Sequence, residues 1–550
     1  MLSTHKIALG FILLLAIFFR FWNITTVPPG LFPDEAMNGS NALQALESSD
    51  FHTYYIDNNG REGLFINLQA IAVWFFGTEA WVLRIVSAVF GTLAVLGLYF
   101  LVKELFQNSL NYESGIMNRG GKIKNHNSYF NIHNSEIIAL LATFFLATSY
   151  WHINFSRIGF RAITTPFFSI FAFYFLLKGM RRGSPWDFVF SGIAFGLGLN
   201  GYIAFRFIPF ACAVPVFMGL WRWWKNRPLR ETETNTSYPS CFPCNIVLLG
   251  IVILVVCAPL IMYFGAHPED FVARTGQVSV FTDEHPIRAF VVSNIKTIGM
   301  LFVFGDCNPR HNFPCFPALH PLVSIAFIYG LYRIVISLRN RPLPLTHITL
   351  LFWLFFLMLP ATLTREGIPH ALRSIGIIPP VMAIAGFGAF LLLEKITSVW
   401  KPVAARMLVL VLLASIAGTT GYLYFDIWGN APSTVSAFST DLTQLAYYIR
   451  SLPNQTIKYL IVDLDYEALP VSAQSVVFLT DTATSASREE KNVHYIPRLD
   501  TLRHIILNDK PVIISFIAFQ DKQLEQSITQ TFPALQKETR GGFPVFIYNP

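Results

Sequence analysis

Charged side chains are scarce in this chain. They make up 13% of its 550 residues, whereas a soluble protein carries about 25%. Hydrophobic residues make up 53%, and 52 residues are phenylalanine. These values exclude a disordered, collagen-like or coiled-coil chain and argue against an ordinary cytosolic globule. The net charge of +7 alone would suit a nucleic-acid-binding protein. The basic residues, however, lie in short clusters between long apolar runs, as they do in polytopic membrane proteins.

Long apolar runs recur up to residue 425. A membrane-spanning helix needs about 20 mostly apolar residues, and about eleven runs approach that length. They lie near residues 6–23, 84–102, 137–155, 162–178, 186–204, 205–222, 246–264, 321–337, 347–361, 371–394 and 407–425. The first run has no small-residue cleavage site after it, so we expect an anchor rather than a signal peptide. The sequence therefore predicts a polytopic α-helical membrane protein.

Lysine and arginine are unevenly distributed over the segments between these runs. With the N-terminus inside, the inner segments hold more of them, although the outer segments are longer in total. Because cytoplasmic loops are enriched in Lys and Arg, we expect a cytoplasmic N-terminus and an extracytoplasmic C-terminus in the cell (inner) membrane. The polar stretch 103–136 is expected to be a cytoplasmic loop of low order.

The composition changes after residue 425, where charge rises and the apolar runs shorten. Segments 457–462, 475–479, 511–516 and 544–548 are typical of buried strands, and 441–451 and 522–531 have helical spacing. We predict a soluble extracytoplasmic α/β domain over 426–550, long enough for its own core. The preceding domain, 1–425, is the transmembrane domain, and its first outer loop, 24–83, is expected to be catalytic.

Cysteine is rare, with six residues in all. Two of them fall within predicted spans. Cys241 and Cys244 form a Cys-x-x-Cys on the inner side, but no second ligand pair lies nearby, which argues against zinc. Cys307 and Cys315 bracket an outer loop, where an oxidising compartment favours a disulfide over two free thiols.

An acidic motif, Phe-Pro-Asp-Glu-Ala, opens the first outer loop. Pro33 suits the first turn of a helix, and carboxylates there are favoured by the helix dipole. On the pattern alone, a helix start explains Asp34 and Glu35 no less well than a catalytic role does. Their position directly after the first span, however, puts them close to the bilayer surface. Arg61 lies in the same loop and leads into the apolar stretch 64–77, which is too short to span and suits the membrane face.

Arginine and histidine recur in the other predicted outer turns. Each one alone is more typical of a side chain that reaches the lipid headgroups. Together they suit the binding of an anionic group at the bilayer surface, for which a lipid phosphate is the obvious candidate. The residues concerned are Arg206, Arg310, His311, Arg365, His370 and Arg373.

An ordered set of motifs resembles the GT-C glycosyltransferases, of the protein mannosyltransferase type and of the bacterial type that transfers aminoarabinose to lipid A. The matching segments are Pro33-Asp34-Glu35-Ala36, Asn59-Gly60-Arg61-Glu62-Gly63-Leu64-Phe65, Trp81-Val82-Leu83-Arg84, Gly196-Leu197-Gly198-Leu199-Asn200-Gly201-Tyr202 with Arg206, Gly305-Asp306 with Arg310-His311-Asn312, and Pro369-His370-Ala371-Leu372-Arg373. They follow one another over residues 5–425 with the predicted topology. The soluble tail carries no motif of this family.

The resemblance implies a sugar donor linked to polyprenyl phosphate and an extracytoplasmic acceptor, which is a protein, a lipid A-like glycolipid or a surface glycan. Asp34, accompanied by Glu35, matches the acidic residue expected to act as base on the acceptor. Arg61 stands where relatives have a Lys before two prolines, so its contact with the donor phosphate is an expectation. Some relatives bind a divalent metal and others do not. No clear ligand set is visible here, so no metal ligand is assigned and a divalent metal is left open.

The resulting hypothesis is an inverting glycosyltransferase whose partners are the donor, the acceptor and membrane lipids, without nucleic acid. The main alternative is a polytopic secondary transporter of an anionic or lipid-linked substrate. Transporters place ionisable residues near the bilayer midplane, often within internal repeats, whereas here they gather at the outer ends of unrelated spans. A non-catalytic scaffold would leave Asp34 and the arginines unexplained. The sequence identifies neither the sugar nor the acceptor, and it leaves the soluble domain open between acceptor binding and structural capping.

Overall fold

The computed structural model describes residues 4–117, 132–225, 241–271, 279–339, 344–364, 367–463, 469–498, 501–507 and 509–550. The chain divides into two compact units. The first unit comprises residues 1–22, 87–156 and 161–424, and the second comprises 23–86, 157–160 and 425–550. The second unit therefore joins the predicted first outer loop, a short turn and the whole C-terminal region.

Apolar helices dominate the first unit. Among the described residues, eight helices are long and apolar enough to cross a membrane. They are Thr4–Phe21, Ala80–Gln107, Arg161–Arg182, Ile203–Lys225, Phe242–Ala266, Leu345–Thr362, Ile375–Val399 and Pro402–Trp428. The predicted spans 137–155, 186–204 and 321–337 coincide with the shorter apolar helices Asn134–Ala147, Pro185–Leu199 and Pro321–Ser337. The predicted polytopic helical architecture is confirmed.

Several of these helices begin at a proline, which lacks the N–H that a first turn leaves unbonded. The α-helices are Thr4–Phe21, Ala80–Met117, Ile132–Ala147, Tyr150–Phe155, Thr164–Arg182, Pro185–Leu199, Ile208–Lys225, Phe242–Ala266, Pro286–Gly299, Pro321–Ser337, Leu345–Thr362, Ile378–Val399 and Pro402–Gly421. A disulfide joins Cys241 and Cys244 at the start of one of them.

The loop predicted at 103–136 was wrong at both ends, because the helix that starts at Ala80 continues to Met117 and the next helix starts at Ile132. Leu105 and Phe106 are buried there, and Glu104 pairs with Arg181 at 2.6 Å. Tertiary packing of this kind stabilises a helix that sequence composition alone does not predict. Residues 118–131 of the predicted loop lie outside the described residues.

The second unit contains a hairpin and a five-stranded sheet. Its strands are β1 (Tyr54–Tyr55), β2 (Arg61–Glu62), β3 (Ile457–Val462), β4 (Val493–Pro497), β5 (Val512–Phe516), β6 (Gln536–Arg540) and β7 (Phe543–Tyr548). The sheet has the order β4-β3-β5-β7-β6, in which β3 runs parallel to β4 and β5, and β7 antiparallel to β5 and β6. Its helices are Pro33–Ser48, Leu64–Phe76, Pro432–Ala437, Thr440–Ser451, Gln474–Leu479, Ser485–Glu490, Thr501–His504 and Lys522–Thr531.

The C-terminal α/β architecture is confirmed, with three of its four predicted strands present as β3, β5 and β7. The strand predicted at 475–479 was wrong, because Gln474–Leu479 is a helix. A short apolar run fits a buried helix as well as a buried strand, and all its side chains are buried. Strand β6 was missed because its side chains are polar and all of them are exposed.

The predicted first outer loop and the C-terminal sheet share one hydrophobic core. The Leu31 backbone N–H donates to Thr443 Oγ1 at 2.9 Å, and Ser475 Oγ donates to the Leu31 carbonyl at 2.7 Å. A Cβ on Gly39 would lie 2.5 Å from the Phe478 ring, so only glycine admits this close approach. The loop is therefore held as part of a folded unit that also contains residues 425–550.

Candidate functional site

The helix Pro33–Ser48 begins at the acidic motif. Phe32 precedes it in an extended conformation, and Pro33 occupies the first position. Asp34 and Glu35 both lie in the first turn, where the helix dipole favours negative charge. Their environments differ, because Asp34 is half-buried and Glu35 is fully buried.

The tip of the β1–β2 hairpin positions a partner for Asp34. Asn58, Asn59 and Gly60 have φ values of 50°, 63° and 77°, a left-handed conformation that asparagine and glycine adopt more readily than other residues. At Gly60 a Cβ would lie 1.9 Å from the Tyr54 hydroxyl, so a side chain cannot be accommodated. This turn brings Asn58 Nδ2 to 3.0 Å from Asp34 Oδ1, to which it donates.

Arg61 follows this turn and is 4% exposed. Its Nη1 donates to Asn38 Oδ1 at 2.5 Å, its Nη2 donates to Asn41 Oδ1, and its Nε donates to the Asp57 carbonyl at 3.2 Å. These three acceptors fix the orientation of the guanidinium. We call Asp34, Asn38, Asn41, Asn58 and Arg61 the first-loop cluster.

Glu35 makes its contacts inside the second unit. Arg84 Nε lies 3.2 Å from Glu35 Oε2, and the Gly159 N–H donates to the same oxygen at 2.7 Å. Arg84 also donates to the Pro28 carbonyl at 2.7 Å. The buried ion pair therefore ties the helix start to two other segments. The predicted catalytic role of Glu35 stays a prediction, and these contacts add that its carboxylate positions the start of the helix.

A second polar cluster lies within the first unit and consists of Asp306, His311 and His370, which we call the histidine cluster. One nitrogen or oxygen atom from each residue lies within 4.8 Å of the others. Asp306 Oδ2 accepts from His311 Nδ1 at 3.0 Å and from the Ala371 N–H at 2.8 Å. Asp306 Oδ1 accepts from the Asn308 N–H at 2.8 Å. The carboxylate is thus fixed by three donors.

The loop that carries Asp306 and His311 is closed by covalent and hydrogen bonds. A disulfide joins Cys307 to Cys315, the pair for which the sequence favoured one. The Cys315 N–H donates to the Asp306 carbonyl at 2.9 Å, and Asn154 Nδ2 donates to the Arg310 carbonyl at 2.7 Å. These bonds fix the backbone on which His311 is presented.

A cavity of about 590 Å³ adjoins the histidine cluster. Its polar lining includes Ser293, Lys296, Asp306, Asn308, His311 and His370. The Ser293 side chain is 1% exposed, and its hydroxyl has no hydrogen-bond partner among the described residues.

His311 is neutral at neutral pH. Burial lowers its pKa below the ordinary value of 6.5, and the positive charges of Arg310 and Arg373 act in the same direction. The carboxylate of Asp306 opposes this change but does not outweigh it. Since a carboxylate oxygen accepts, His311 Nδ1 carries the hydrogen that it donates to Asp306.

The remaining predicted phosphate-binding residues have different surroundings. Arg206 donates to the Phe271 carbonyl at 3.2 Å, and its guanidinium lies 4.4 Å from the centre of the Phe271 ring. Arg373 lies close enough to His311 to influence its pKa. Arg365 lies outside the described residues. The structure therefore brings Arg310, His311 and Arg373 together in one part of the first unit.

Sequence reasoning missed the histidine cluster as a possible ligand set, and the structure corrects the statement that none was visible. Asp306 and His311 stand in one motif and His370 in another, so the signal lay in combining two motifs that are far apart in sequence. Two imidazoles and a carboxylate are ligands that zinc uses in proteins. The amides of Asn38 and Asn41, which hold Arg61, were missed as well because nothing in their spacing singles them out.

Comparisons with known proteins agree with this fold. No protein-family model and no curated protein matches the chain. The crystal structure of ArnT from Cupriavidus metallidurans bound to undecaprenyl phosphate matches with a TM-score of 0.55 and 13% identity over 99% of both chains. The same protein in the apo state matches with a TM-score of 0.53 and 12% identity over 99% of this chain and 98% of that one.

A third structure is that of the S. cerevisiae protein O-mannosyltransferase Pmt1-Pmt2 complex bound to the sugar donor. The match covers 49% of this chain and 34% of the chain in that structure. Its TM-score of 0.34, at 16% identity, is too low to indicate a shared fold. The likeness to ArnT extends over nearly the whole chain. It confirms, for the fold alone, the resemblance drawn from the motifs: the chain has an ArnT-like polytopic α-helical fold.

Proposed function

We propose that this protein is a membrane glycosyltransferase that moves a sugar, with inversion, from a polyprenyl-phosphate-linked donor to an extracytoplasmic acceptor. The observation that carries the proposal is the setting of Asp34. Its half-buried carboxylate stands in the first turn of a helix, is held by Asn58 at 3.0 Å, and belongs to the same cluster as the buried cation Arg61. The transfer of a sugar from a phosphate requires a base and a cation of this kind.

The lipid-linked donor is supported by the fold comparison, since the ArnT structure that matches over 99% of both chains is bound to undecaprenyl phosphate. In this chain the Arg61 guanidinium is buried and is held in one orientation by Asn38, Asn41 and the Asp57 carbonyl. We assign Arg61 to the donor phosphate. The other residues assigned to it are Arg206, Arg310, His311, Arg365, His370 and Arg373.

The reaction needs no sugar nucleotide. The acceptor hydroxyl oxygen forms a bond to the anomeric carbon while the bond from that carbon to the phosphate oxygen breaks. Asp34 takes the hydroxyl proton, and the polyprenyl phosphate leaves with the bonding electrons. A positioned base contributes about 10²–10⁴-fold to such a step, and a positioned donor to the departing oxyanion contributes about 3–4 kcal/mol. Attack opposite the phosphate inverts the anomeric carbon.

The proposed orientation puts the N-terminus in the cytoplasm and the first-loop cluster on the outer side of the cell membrane. The predicted excess of basic residues in the inner segments supports this orientation. The donor carries a hexose or a pentose, and the acceptor is a protein, a glycolipid or a surface glycan.

The proposal is tested by replacing Asp34 with asparagine. Cells that lack the endogenous protein are complemented with the wild type, with Asp34→Asn or with Asp50→Asn, and their envelope glycoconjugates are compared by mass spectrometry. Asp50 is the matched control, because it is an exposed carboxylate in the same loop. We expect a sugar that is present with the wild type and with Asp50→Asn, and absent with Asp34→Asn.

The cellular result is checked with membranes from the same strains, supplied with radiolabelled polyprenyl-phosphate-linked sugar and an envelope extract as acceptor. Equal expression and equal thermal unfolding of the three proteins would assign a loss of transfer to chemistry rather than to folding. Wild-type transfer by Asp34→Asn would eliminate the proposed base. If the wild type changed no envelope sugar at all, glycosyltransfer itself would be rejected.

A further inference from the structure

We propose that the histidine cluster binds a divalent transition-metal ion of the zinc type, with Asp306, His311 and His370 as its protein ligands. The inference concerns the first unit alone, whereas Asp34 and Arg61 belong to the second unit. His311 and His370 are also assigned above to the donor phosphate, and a bound ion would replace their direct contacts with it, so in this respect the inference rests on the proposed function.

The separation of the three side chains suits a single ion. Zinc binds imidazole nitrogen and carboxylate oxygen at about 2.0–2.2 Å, so two ligands of one ion lie roughly 3–3.5 Å apart. Asp306 Oδ2 and His311 Nδ1 are already 3.0 Å apart, and the three ligand atoms lie within 4.8 Å of one another. Asp306 and His311 are buried whereas His370 is half-buried, so the movement that closes the site falls mainly on the His370 ring.

The chemistry of the set also matches. Two imidazoles and one carboxylate are a three-ligand combination found at catalytic zinc sites, which keep a further position open. Nitrogen ligands favour zinc and similar ions over calcium and magnesium, which prefer oxygen. The N–H groups of Asn308 and Ala371 fix the Asp306 carboxylate, as outer hydrogen bonds commonly orient metal ligands.

A second observation points to a ligand in the adjoining cavity. The Ser293 hydroxyl is 1% exposed, lines the cavity with the histidine cluster, and has no hydrogen-bond partner among the described residues. A buried hydroxyl without a partner is unfavourable, so such groups usually face a bound molecule or ordered water. A water or a substrate oxygen bound in this cavity would supply the partner that Ser293 lacks.

The opposing explanation is that Asp306 and His311 form a structural hydrogen bond only, with His370 stacked nearby. The rings of His311 and His370 are 4.8 Å apart, which packing alone also permits. The two explanations differ in metal stoichiometry, which can be measured on the full-length protein without any assay of sugar transfer.

The test uses full-length protein purified in detergent without a histidine tag and stripped with a chelator. Zinc or cobalt is added back, the unbound ion is removed, and the bound metal is counted by mass spectrometry. Cobalt absorption in the visible range then reports nitrogen ligation and coordination number. We expect about one ion per chain, with a cobalt spectrum of low coordination number, and a higher unfolding temperature in zinc.

Three variants assign the ligands. His370→Ala and His311→Ala should each lower zinc affinity by at least about 10-fold, the scale on which even outer-shell changes act. His267→Ala is the control, because His267 lies at the end of the Phe242–Ala266 helix and bonds to the Tyr263 carbonyl, and it should retain the ion. If a histidine variant fails to fold, the cobalt spectrum of the wild type still distinguishes a metal site from a structural hydrogen bond.

Absence of a stoichiometric ion in the wild type, or equal zinc uptake by His370→Ala and the wild type, would overturn the proposal. Metal content and sugar transfer are separate readouts. A protein that binds zinc but transfers no sugar contradicts the proposed function alone, whereas one that transfers sugar without any metal contradicts this inference alone.

Discussion

Asp34 and Asp306 are held by hydrogen bonds to very different extents. Asp306 is buried and accepts from Asn308, His311 and Ala371. Asp34 is half-buried, and the side-chain amide of Asn58 donates to it. A carboxylate that accepts several hydrogen bonds is held in one orientation, whereas the half-buried carboxylate of Asp34 is open to an incoming hydroxyl.

Two buried arginines, Arg84 and Arg61, also differ in the groups that hold them. Arg84 lies beside the carboxylate of Glu35, so its charge is balanced within the fold. Arg61 is also buried and donates to amide and carbonyl oxygens of the first loop. The Glu35–Arg84 pair ties segments of the fold together, whereas Arg61 is the residue that we propose for the donor phosphate.

The largest effect is expected when Asp34 is replaced by asparagine. Loss of the base should reduce sugar transfer by about 10²–10⁴-fold, while the free energy of unfolding changes little because the amide still accepts from Asn58. Initial rates of transfer and thermal unfolding would be measured on the same preparation. A large decrease in the free energy of unfolding of Asp34→Asn would contradict the difference that we describe between Asp34 and Asp306.

Replacement of Arg84 by methionine should act mainly on folding. Removal of one partner leaves Glu35 charged and buried, which costs about 3–5 kcal/mol. The double variant Glu35→Gln/Arg84→Met removes both charges and should recover part of that loss. Denaturant unfolding of the three proteins tests this, and equal destabilisation of single and double variants would show that the pair is not coupled.

Replacement of Asp306 by asparagine should have an intermediate effect. In Asp306 both carboxylate oxygens accept hydrogen bonds, from His311, Asn308 and Ala371. Asparagine replaces one of these oxygens with an NH₂ group, which cannot accept. At least one of the three N–H donors therefore loses its hydrogen bond. Leaving one buried polar group unsatisfied costs about 1–3 kcal/mol. Unfolding in chelator, compared with Asp34→Asn, measures the difference. Equal stability of the two variants would contradict our account of the two carboxylates.

The smallest effect on stability is expected for Lys458 in β3, a buried cation that is held by backbone carbonyl oxygens. Its ammonium donates to the carbonyls of Pro453, Thr456 and Lys491 at 2.8–3.0 Å, and burial lowers its pKa from 10.5 to about 8. Between these two values the unfolded chain binds the proton that the folded chain has released, so stability rises with pH over this range.

Lys458→Met should lack this rise. Thermal unfolding of the wild type and the variant, at pH values from 7 to 10, would separate the contribution of Lys458 from those of other groups. The wild type should gain stability relative to the variant as the pH increases above 8. A constant difference between the two proteins would mean that the carbonyls keep the amine charged.

Much of the fold could be predicted because long apolar runs and period-two strands depend on local sequence. The strand at Ile457–Val462 and the helix at Lys522–Thr531 have the predicted bounds. The helix Gln474–Leu479 could not be distinguished from a strand, because its apolar side chains are buried on all sides by partners that are distant in sequence.

The candidate sites show the same limit. Asp34 and Arg61 were predicted because each belongs to a compact motif. The partnership of Asp306 with His370 could not be predicted, since it depends on how two loops of the first unit approach each other. The burial of Glu35 was also unforeseen, because it is created by Arg84 and Gly159, which come from other segments.

The shared core of the predicted first outer loop and residues 425–550 has a consequence for biosynthesis. Leu31 and Ala36 leave the ribosome long before Phe478 and Val545, which belong to the same core. Until those later residues are made, the loop that carries Asp34 lacks the partners that bury its apolar side. Asp34 can therefore reach its final setting only after strand β7 has been added. A chain that stopped before β7 would lack the setting on which the proposed function depends.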